Sequence, residues 1–165
     1  MFKVSFKGNF KKVETFNDKA TIVTLVGILT YPNGIWDITD STISNWMFLH
    51  PSIDVKWGEP PITNNSFRLE FSGKSICAKG DTFDKVLGER IAESRAKIKL
   101  YKFMTTLCSK LLNDLYVKMY GNGELVRVNE NHNEPPKDCI QLAYMKYKTL
   151  WSKELKHLND LLDKV

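Results

Sequence analysis

The sequence contains few of the residues that build metal and disulfide sites. Three cysteines and three histidines occur in 165 residues, and no two cysteines have the Cys-x-x-Cys spacing. Cys77, Cys108 and Cys139 are widely separated, so neither a zinc ribbon nor a disulfide framework is expected, and buried thiols are the better interpretation. The histidines are dispersed along the chain. We therefore expect no metal site.

Catalytic motifs are also absent. The sequence has no Gly-x-Ser-x-Gly elbow, no phosphate-binding loop of the nucleotide hydrolases and no dinucleotide fingerprint. Cys139 opens an apolar helical pattern, where packing is a better explanation than nucleophilic chemistry. Asp81 and Asp84 lie at a predicted helix start, where carboxylates are favoured as caps. We predict that the protein is not an enzyme and uses no cofactor.

Long hydrophobic runs are missing as well. The longest, residues 22–29, is far shorter than the roughly 20 apolar residues that a membrane span requires. The N-terminus alternates between apolar and polar residues and has no apolar core of a secretion signal. We expect an intracellular protein that does not enter membranes.

Arginine is scarce, and the positive charge is concentrated in one segment. Only four of the 24 basic residues are arginines, and residues 67–120 carry eleven basic and six acidic side chains, while the flanking segments are balanced. Arg95, Lys99 and Lys102 follow one helical face at i, i+4 and i+7, with Arg90 nearby, and such a face suits phosphate. An equally open interpretation is a solvated surface with helical ion pairs such as Glu93 with Lys97.

Apolar alternation predicts that strands dominate the first half. Five strands are expected, at residues 2–6, 10–16, 20–31, 53–57 and 67–71, with a turn at residues 17–19. Capping residues and a following proline predict a short helix near residues 41–50.

From Asp84 onward the apolar period changes from about 2 to about 3.5. This predicts one long helix that ends near Gly121 and a second that begins near Asp138. The second helix is expected to turn these side chains inward: Ile140, Tyr144, Tyr147, Trp151, Leu155, Leu158 and Leu162. The sequence thus predicts one α+β domain over residues 1–165, mainly β with a short helix over 1–82 and helical over 83–165, with an antiparallel sheet and a helical hairpin.

The apolar faces of both helices are wider than one sheet contact can cover. An exposed strip predicts a homo-oligomer, a dimer or a multiple of it. Phe103→Asp is expected to break that assembly. The strip is predicted to contain Leu100, Phe103, Leu107 and Leu111 on the first helix and Tyr144, Trp151 and Leu158 on the second.

One short motif, at the junction of the last strand and the long helix, carries a resemblance. It consists of Cys77, Asp81, Phe83, Asp84, Gly88, Ala92, Arg95 and Ala96. It resembles a pattern of small bacteriophage proteins with a sheet followed by helices and, more weakly, the phage anti-Thoeris sponge family. That family consists of oligomers that enclose a cyclic ADP-ribose signal and so silence a bacterial immune effector.

The resemblance implies a phage-encoded, non-catalytic antagonist of immunity that sequesters a nucleotide-derived signal in the host cytoplasm. It marks Phe83 as a base-stacking candidate and Arg95 as a phosphate candidate. The basic face adds three further candidate ligand-binding residues, Arg90, Lys99 and Lys102.

Two other functions stay open. The segment around residues 40–50 and the helix beyond residue 137 depart from the family pattern and would equally suit an anti-CRISPR inhibitor that binds a host defence protein or nucleic acid. The predicted order from residue 40, a helix, a hairpin and a long basic helix, is similar to the double-stranded-RNA-binding fold. Topology alone does not decide among these functions.

Overall fold

The computed structural model describes residues 4–30, 66–78, 82, 84–120 and 136–165. The elements in this part are the strands β1 (Ser5–Phe16), β2 (Ala20–Thr30) and β3 (Ser66–Ile76) and the helices α1 (Lys85–Tyr120) and α2 (Pro136–Leu162). The strands form an antiparallel sheet in the order β1-β2-β3. The α+β class is confirmed.

The described sheet has three strands, and the prediction of five is not supported. The described part of the predicted strand at 2–6 and the whole of the one at 10–16 belong to one strand, β1, which continues through a bulge between Gly8 and Phe10 that shifts its register against β2. The extra residue places Phe6 and Phe10 on opposite faces of the sheet, although their sequence spacing is even. The predicted strand at 53–57 and the helix near 41–50 lie outside the described residues.

The turn between β1 and β2 was predicted correctly. Asn17 and Asp18 both have φ of 48°, and the Lys19 amide donates a hydrogen bond to the Phe16 carbonyl at 3.0 Å. Two consecutive left-handed residues match the twist of a hairpin, and Asn and Asp tolerate that conformation better than most side chains. The local sequence therefore determines the pairing of Phe16 with Ala20.

Helix α1 lies on the inner face of β2 and β3 and comes closest to the sheet at Gly73. A Cβ atom at Gly73 would collide with the Ala92 carbonyl oxygen and the Ala96 amide nitrogen. Only small residues permit this approach, and Gly88, Ala92 and Ala96 are all buried on that side of α1. Much of the sequence motif is thus explained by helix-on-strand packing.

The strip predicted to be exposed on α1 is buried within the chain. Leu100, Phe103, Leu107 and Leu111 are at most 6% exposed, because they form the core with the sheet and α2. This basis for a dimer interface is wrong, and Phe103→Asp would place a charge in the core rather than break an assembly. The oligomeric state itself stays a prediction.

The inward side of α2 also differs from the predicted one. Ile140, Ala143, Tyr147 and Leu161 are buried. Leu155 and Leu162, predicted to face inward, are 43% and 40% exposed, while Tyr144, Trp151 and Leu158 are half-buried. The seven residues expected inward span 22 positions in six steps, about 3.7 residues per step, whereas the buried Ile140, Ala143 and Tyr147 follow the i, i+3, i+7 spacing of a helix that packs against another helix.

Candidate functional site

Asp84 caps the start of α1. Its side-chain Oδ1 accepts a hydrogen bond from the Leu87 amide at 2.9 Å, and its carbonyl accepts one from the Gly88 amide at 2.8 Å. This is the arrangement of an N-cap residue, which satisfies amides that have no partner inside the helix. The motif aspartate therefore has the structural role that the sequence predicted. Asp81 and Phe83 lie outside the described residues, so the stacking role of Phe83 stays a prediction.

Arg95 and Lys99 bind the backbone of β3. The Arg95 Nη1 donates to the Lys74 carbonyl and the Lys99 Nζ donates to the Ser72 carbonyl, both at 2.6 Å. Alternate residues of a strand present their backbone groups to the same edge, so these two carbonyls share one edge of β3. Cations that cover such an edge discourage pairing with another strand. They also show that α1 runs antiparallel to β3.

The partners of these two cations are dipoles and not ions. Within the described part of the chain, neither Arg95 nor Lys99 forms an ion pair. A carbonyl orients a cation without neutralising it, so both keep a full positive charge. Lys102 is exposed and lies on the same side of α1, seven residues after Arg95. We call Arg95, Lys99 and Lys102 the cation row.

Arg90 does not belong to this row. It is exposed and precedes Arg95 by five residues, which on an α-helix is a rotation of about 140°. Three of the five ligand-binding residues predicted from the sequence are therefore brought together, and Arg90 projects elsewhere.

A cavity of about 330 Å³ adjoins the first residue of the cation row. It lies between the end of β3, the first turns of α1 and the end of α2, and we call it the helix-start pocket. Its lining residues are Ser75, Ile76, Cys77, Ala78, Thr82, Asp84, Leu87, Gly88, Ile91, Arg95, Leu162 and Val165. Apolar walls with a few polar groups, at this volume, are typical of small-molecule sites.

The sequence did not reveal that the end of α2 contributes to this pocket. Leu162 was assigned to the buried side of α2, and Val165 follows the last turn. Both are exposed, at 40% and 79%, where they line the pocket. The sequence shows only that Leu162 and Val165 are apolar, and an apolar residue does not indicate by itself which element it will contact.

The opposite side of α1 faces β1 across an ion-paired groove of about 440 Å³. The Lys11 Nζ lies 2.8 Å from Glu89 Oε1 and 3.0 Å from Glu93 Oε2, and the Lys97 Nζ lies 2.8 Å from Glu93 Oε1. The Glu93–Lys97 pair was foreseen as a helical i, i+4 pair. Lys11 was not, because 82 residues separate it from Glu93.

Electrostatics in this groove favour the charged forms of the paired groups. Burial opposes ionisation of Glu93, but hydrogen bonds from Lys97 and Lys11 outweigh it and hold the pKa of Glu93 below its ordinary value. Hydrogen bonds to Glu89 and Glu93 raise the pKa of Lys11. Burial lowers and the bond to Glu93 raises the pKa of Lys97, and the net direction is upward. Lys11 and Lys97 are thus compensated by carboxylates within the chain.

Two tyrosines close the groove on the helix side. The Tyr101 and Tyr147 ring centroids are 6.4 Å apart, and the Tyr147 hydroxyl accepts a hydrogen bond from the Phe6 amide at 2.8 Å. Burial raises the pKa of both phenols, so they are protonated at neutral pH. Both rings pack in the groove, and the Tyr147 hydroxyl also provides the hydrogen-bond acceptor for the Phe6 amide of β1.

Reactive groups are few in the described residues. Burial raises the pKa of the Cys108 thiol to about 12, so it is not a nucleophile at neutral pH. No cluster of three or more histidine, cysteine or acidic side chains suited to a metal ion occurs in this part of the chain. None of the helices in the same residues is long and apolar enough to span a membrane.

No family model matches this chain, and searches of curated proteins and of solved structures also return no match. The resemblance to the anti-Thoeris sponges therefore depends on the motif residues alone. Of these, Ala92 and Ala96 are explained by the packing of α1 on Gly73, and Asp84 by capping. Two described motif residues line the cavity with charged groups, the Arg95 guanidinium and the Asp84 carboxylate, and Arg95 is the cationic one.

Proposed function

We propose that this protein is a non-enzymatic binding protein that sequesters a nucleotide-derived, phosphate-bearing ligand in the helix-start pocket. The observation that carries the proposal is the Arg95 guanidinium, which is oriented by the Lys74 carbonyl at the wall of an apolar cavity of about 330 Å³. The cavity would take the base and the guanidinium would take the phosphate.

The chemistry of the site favours an anion. A guanidinium has five N–H donors, so the bond to Lys74 leaves a fork free for phosphate oxygens. The Asp84 carboxylate caps the start of α1 and lines the same cavity, so Arg95 is the group that attracts the phosphate. Leu87, Ile91 and Leu162 supply the apolar surface that a base requires.

Sequestration would be the route to antagonism of immunity. A protein that binds a signal without changing it lowers the free signal concentration, and the effector then stays inactive. The phage origin, the host cytoplasm and the identity of the immune signal are predictions from the motif, and the homo-oligomer is a prediction from the apolar faces of the two helices. The anti-CRISPR and double-stranded-RNA alternatives stay open, because Lys99 and Lys102 lie outside the cavity, and we rank them second because Arg95 lines it.

Calorimetry with a ligand panel tests the proposal. The full chain is titrated with AMP, cyclic ADP-ribose and cyclic dinucleotides, and at least one is expected to bind. Arg95→Gln should weaken that binding by roughly tenfold or more, which is the loss of one charge-assisted hydrogen bond. Arg95→Lys keeps the charge and loses the two-pronged donor geometry, so its affinity should lie between those of the wild type and Arg95→Gln.

Arg90→Gln is the matched control, because it removes the same charge from another side of α1. It should leave the affinity nearly unchanged, and all variants should show the wild-type melting temperature within a few degrees. Absence of binding across the panel contradicts the proposal. An equal loss in Arg90→Gln and Arg95→Gln would mean that net charge, and not the pocket, attracts the ligand.

A further inference from the structure

From the two opposite charges on the wall of the helix-start pocket we infer that its ligand carries a base with an exocyclic amino group, which Asp84 binds while Arg95 holds the phosphate. This inference rests on the proposed function, since it names the ligand class of the same site. It gives Asp84 a second role, because the carboxylate that caps α1 also lines the cavity.

The pocket follows one side of α1 from its start. The residues that this segment contributes to the lining are Asp84, Leu87, Gly88, Ile91 and Arg95. Their spacing of i, i+3, i+4, i+7 and i+11 keeps all five on one helical face. Eleven residues give a rise of about 16 Å, so the two charged residues lie at opposite ends of the pocket. The arginine side chain shortens this gap, because helical side chains lean towards the N-terminus.

The two charges do not neutralise each other. In the part of the chain that the structure describes, Asp84 and Arg95 form no ion pair, either together or with another residue. The Asp84 Oδ1 accepts from the Leu87 amide, and its second carboxylate oxygen has no hydrogen bond there. Arg95 donates through one nitrogen, to the Lys74 carbonyl. Each end of the pocket therefore keeps hydrogen-bonding groups for a ligand, acceptors at Asp84 and donors at Arg95.

These groups determine the direction in which a nucleotide would lie. A carboxylate repels phosphate, so the phosphate belongs at Arg95 and the base, on the other side of the ribose, extends towards Asp84. Leu87 and Ile91 lie between the two ends and supply the apolar contact for the base. An ionised carboxylate only accepts hydrogen bonds, so it binds an exocyclic amino group and repels a base carbonyl.

Calorimetry on the full chain compares two pairs of nucleotides that differ by one amino group. AMP is paired with purine riboside 5′-monophosphate, which lacks the 6-amino group, and GMP is paired with IMP, which lacks the 2-amino group. In at least one pair the amino-bearing nucleotide should bind roughly fivefold or more tightly, the gain from one hydrogen bond to a charged group. Arg95→Gln should weaken both members of that pair equally and leave the preference intact.

Asp84→Asn is the decisive variant. Asn caps a helix as well as Asp does, so the start of α1 is retained. Because the cap requires the side-chain oxygen at the Leu87 amide, the NH2 group of the new amide faces away from that bond and replaces an acceptor with a donor. The variant should lose the preference for the amino group and still bind the nucleotide that lacks it. Glu89→Gln removes a carboxylate of α1 that does not line the pocket, and it should keep the preference.

The possible failures differ. If nucleotides bind in an Arg95-dependent manner and neither pair shows a preference, the proposed function survives and this inference is wrong. If the preference persists in Asp84→Asn, another group recognises the amino group, and the inference is also wrong. If neither pair binds and the wider panel is also silent, the proposed function fails and the inference fails with it.

Discussion

The two sides of α1 both carry lysines or arginines that contact the sheet, but their partners differ. On the side of β1, Lys11 and Lys97 bond to the carboxylates of Glu89 and Glu93. On the side of β3, Arg95 and Lys99 bond to backbone carbonyls. A carboxylate cancels the charge of its partner and a carbonyl does not. Cations that look alike in the sequence therefore differ in whether they can attract an anion.

The two sides therefore differ in their electrostatics. Exposed ion pairs contribute only about 0–1 kcal/mol each, so the Lys11–Glu93–Lys97 cluster mainly fixes β1 against α1. The contacts on the β3 side cover the edge of β3 that pairs with no other strand among the described residues, and they leave a line of positive charge. Both arrangements depend on how closely α1 approaches the sheet, and that distance is set at Gly73.

Gly73→Ala should separate α1 from β3. The added methyl group meets the Ala92 carbonyl oxygen and the Ala96 amide nitrogen, and backbone atoms cannot move aside cheaply. Overpacking of this kind costs about 1–3 kcal/mol or more. We expect a loss at the upper end of this range in urea unfolding, with weaker phosphate binding, because Arg95 and Lys99 would lose their carbonyl anchors.

Gly8→Ala is the control for this substitution, because nothing lies within 4 Å of the position of its Cβ. It should change the free energy of unfolding by less than about 0.5 kcal/mol. Equal stability of the two variants would show that the close contact at Gly73 does not exist in solution.

Local patterns predicted the parts of the fold that depend on local forces. The turn at Asn17 and Asp18 and the change of period near Asp84 are both encoded within a few residues, and both predictions were confirmed. The bulge at Gly8 was missed because one extra residue in a strand does not change the amino-acid types from which strands are predicted. The burial of the α1 core side chains was misjudged because α2 covers them, and that contact joins distant parts of the chain.

The candidate site was predictable only in part, for the same reason. The row of Arg95, Lys99 and Lys102 follows from helical spacing alone. Its attachment to β3 and the contribution of Leu162 to the pocket depend on tertiary contacts, and no pattern in the sequence specifies which carbonyl a lysine will reach.

Tyr147→Phe tests an uncharged contact between a helix and the sheet, the hydrogen bond between Tyr147 and β1. The hydroxyl accepts a hydrogen bond from the Phe6 amide, and its removal leaves a partly buried N–H without that partner. The expected cost is about 1–2 kcal/mol in urea unfolding, and it should be the same at low and high salt because neither partner is charged. Tyr144→Phe, at a half-buried position on the same helix, should cost less than about 0.5 kcal/mol. A strongly salt-dependent cost in Tyr147→Phe would contradict this assignment.

Glu93→Gln should produce the smallest stability change and the clearest dependence on pH. The pKa of Glu93 is lower in the folded chain than its ordinary value, so the ionised form stabilises the fold above the ordinary carboxyl pKa of roughly 4. That contribution is lost as the pH falls through the lowered pKa. The variant should therefore lose less than about 1 kcal/mol at pH 7, less still in high salt, and nothing near pH 2.

Urea unfolding of both proteins across this pH range measures the difference, with Glu14→Gln as a surface-pair control. A constant difference from pH 7 to pH 2 would mean that Glu93 acts through packing and not through charge. The same variant sharpens the contrast between the two sides of α1, since it leaves Lys97 without its carboxylate partner. If charge compensation is what separates the two sides, the groove of Glu93→Gln should gain weak, salt-sensitive affinity for inorganic phosphate while the Arg95-dependent affinity stays the same.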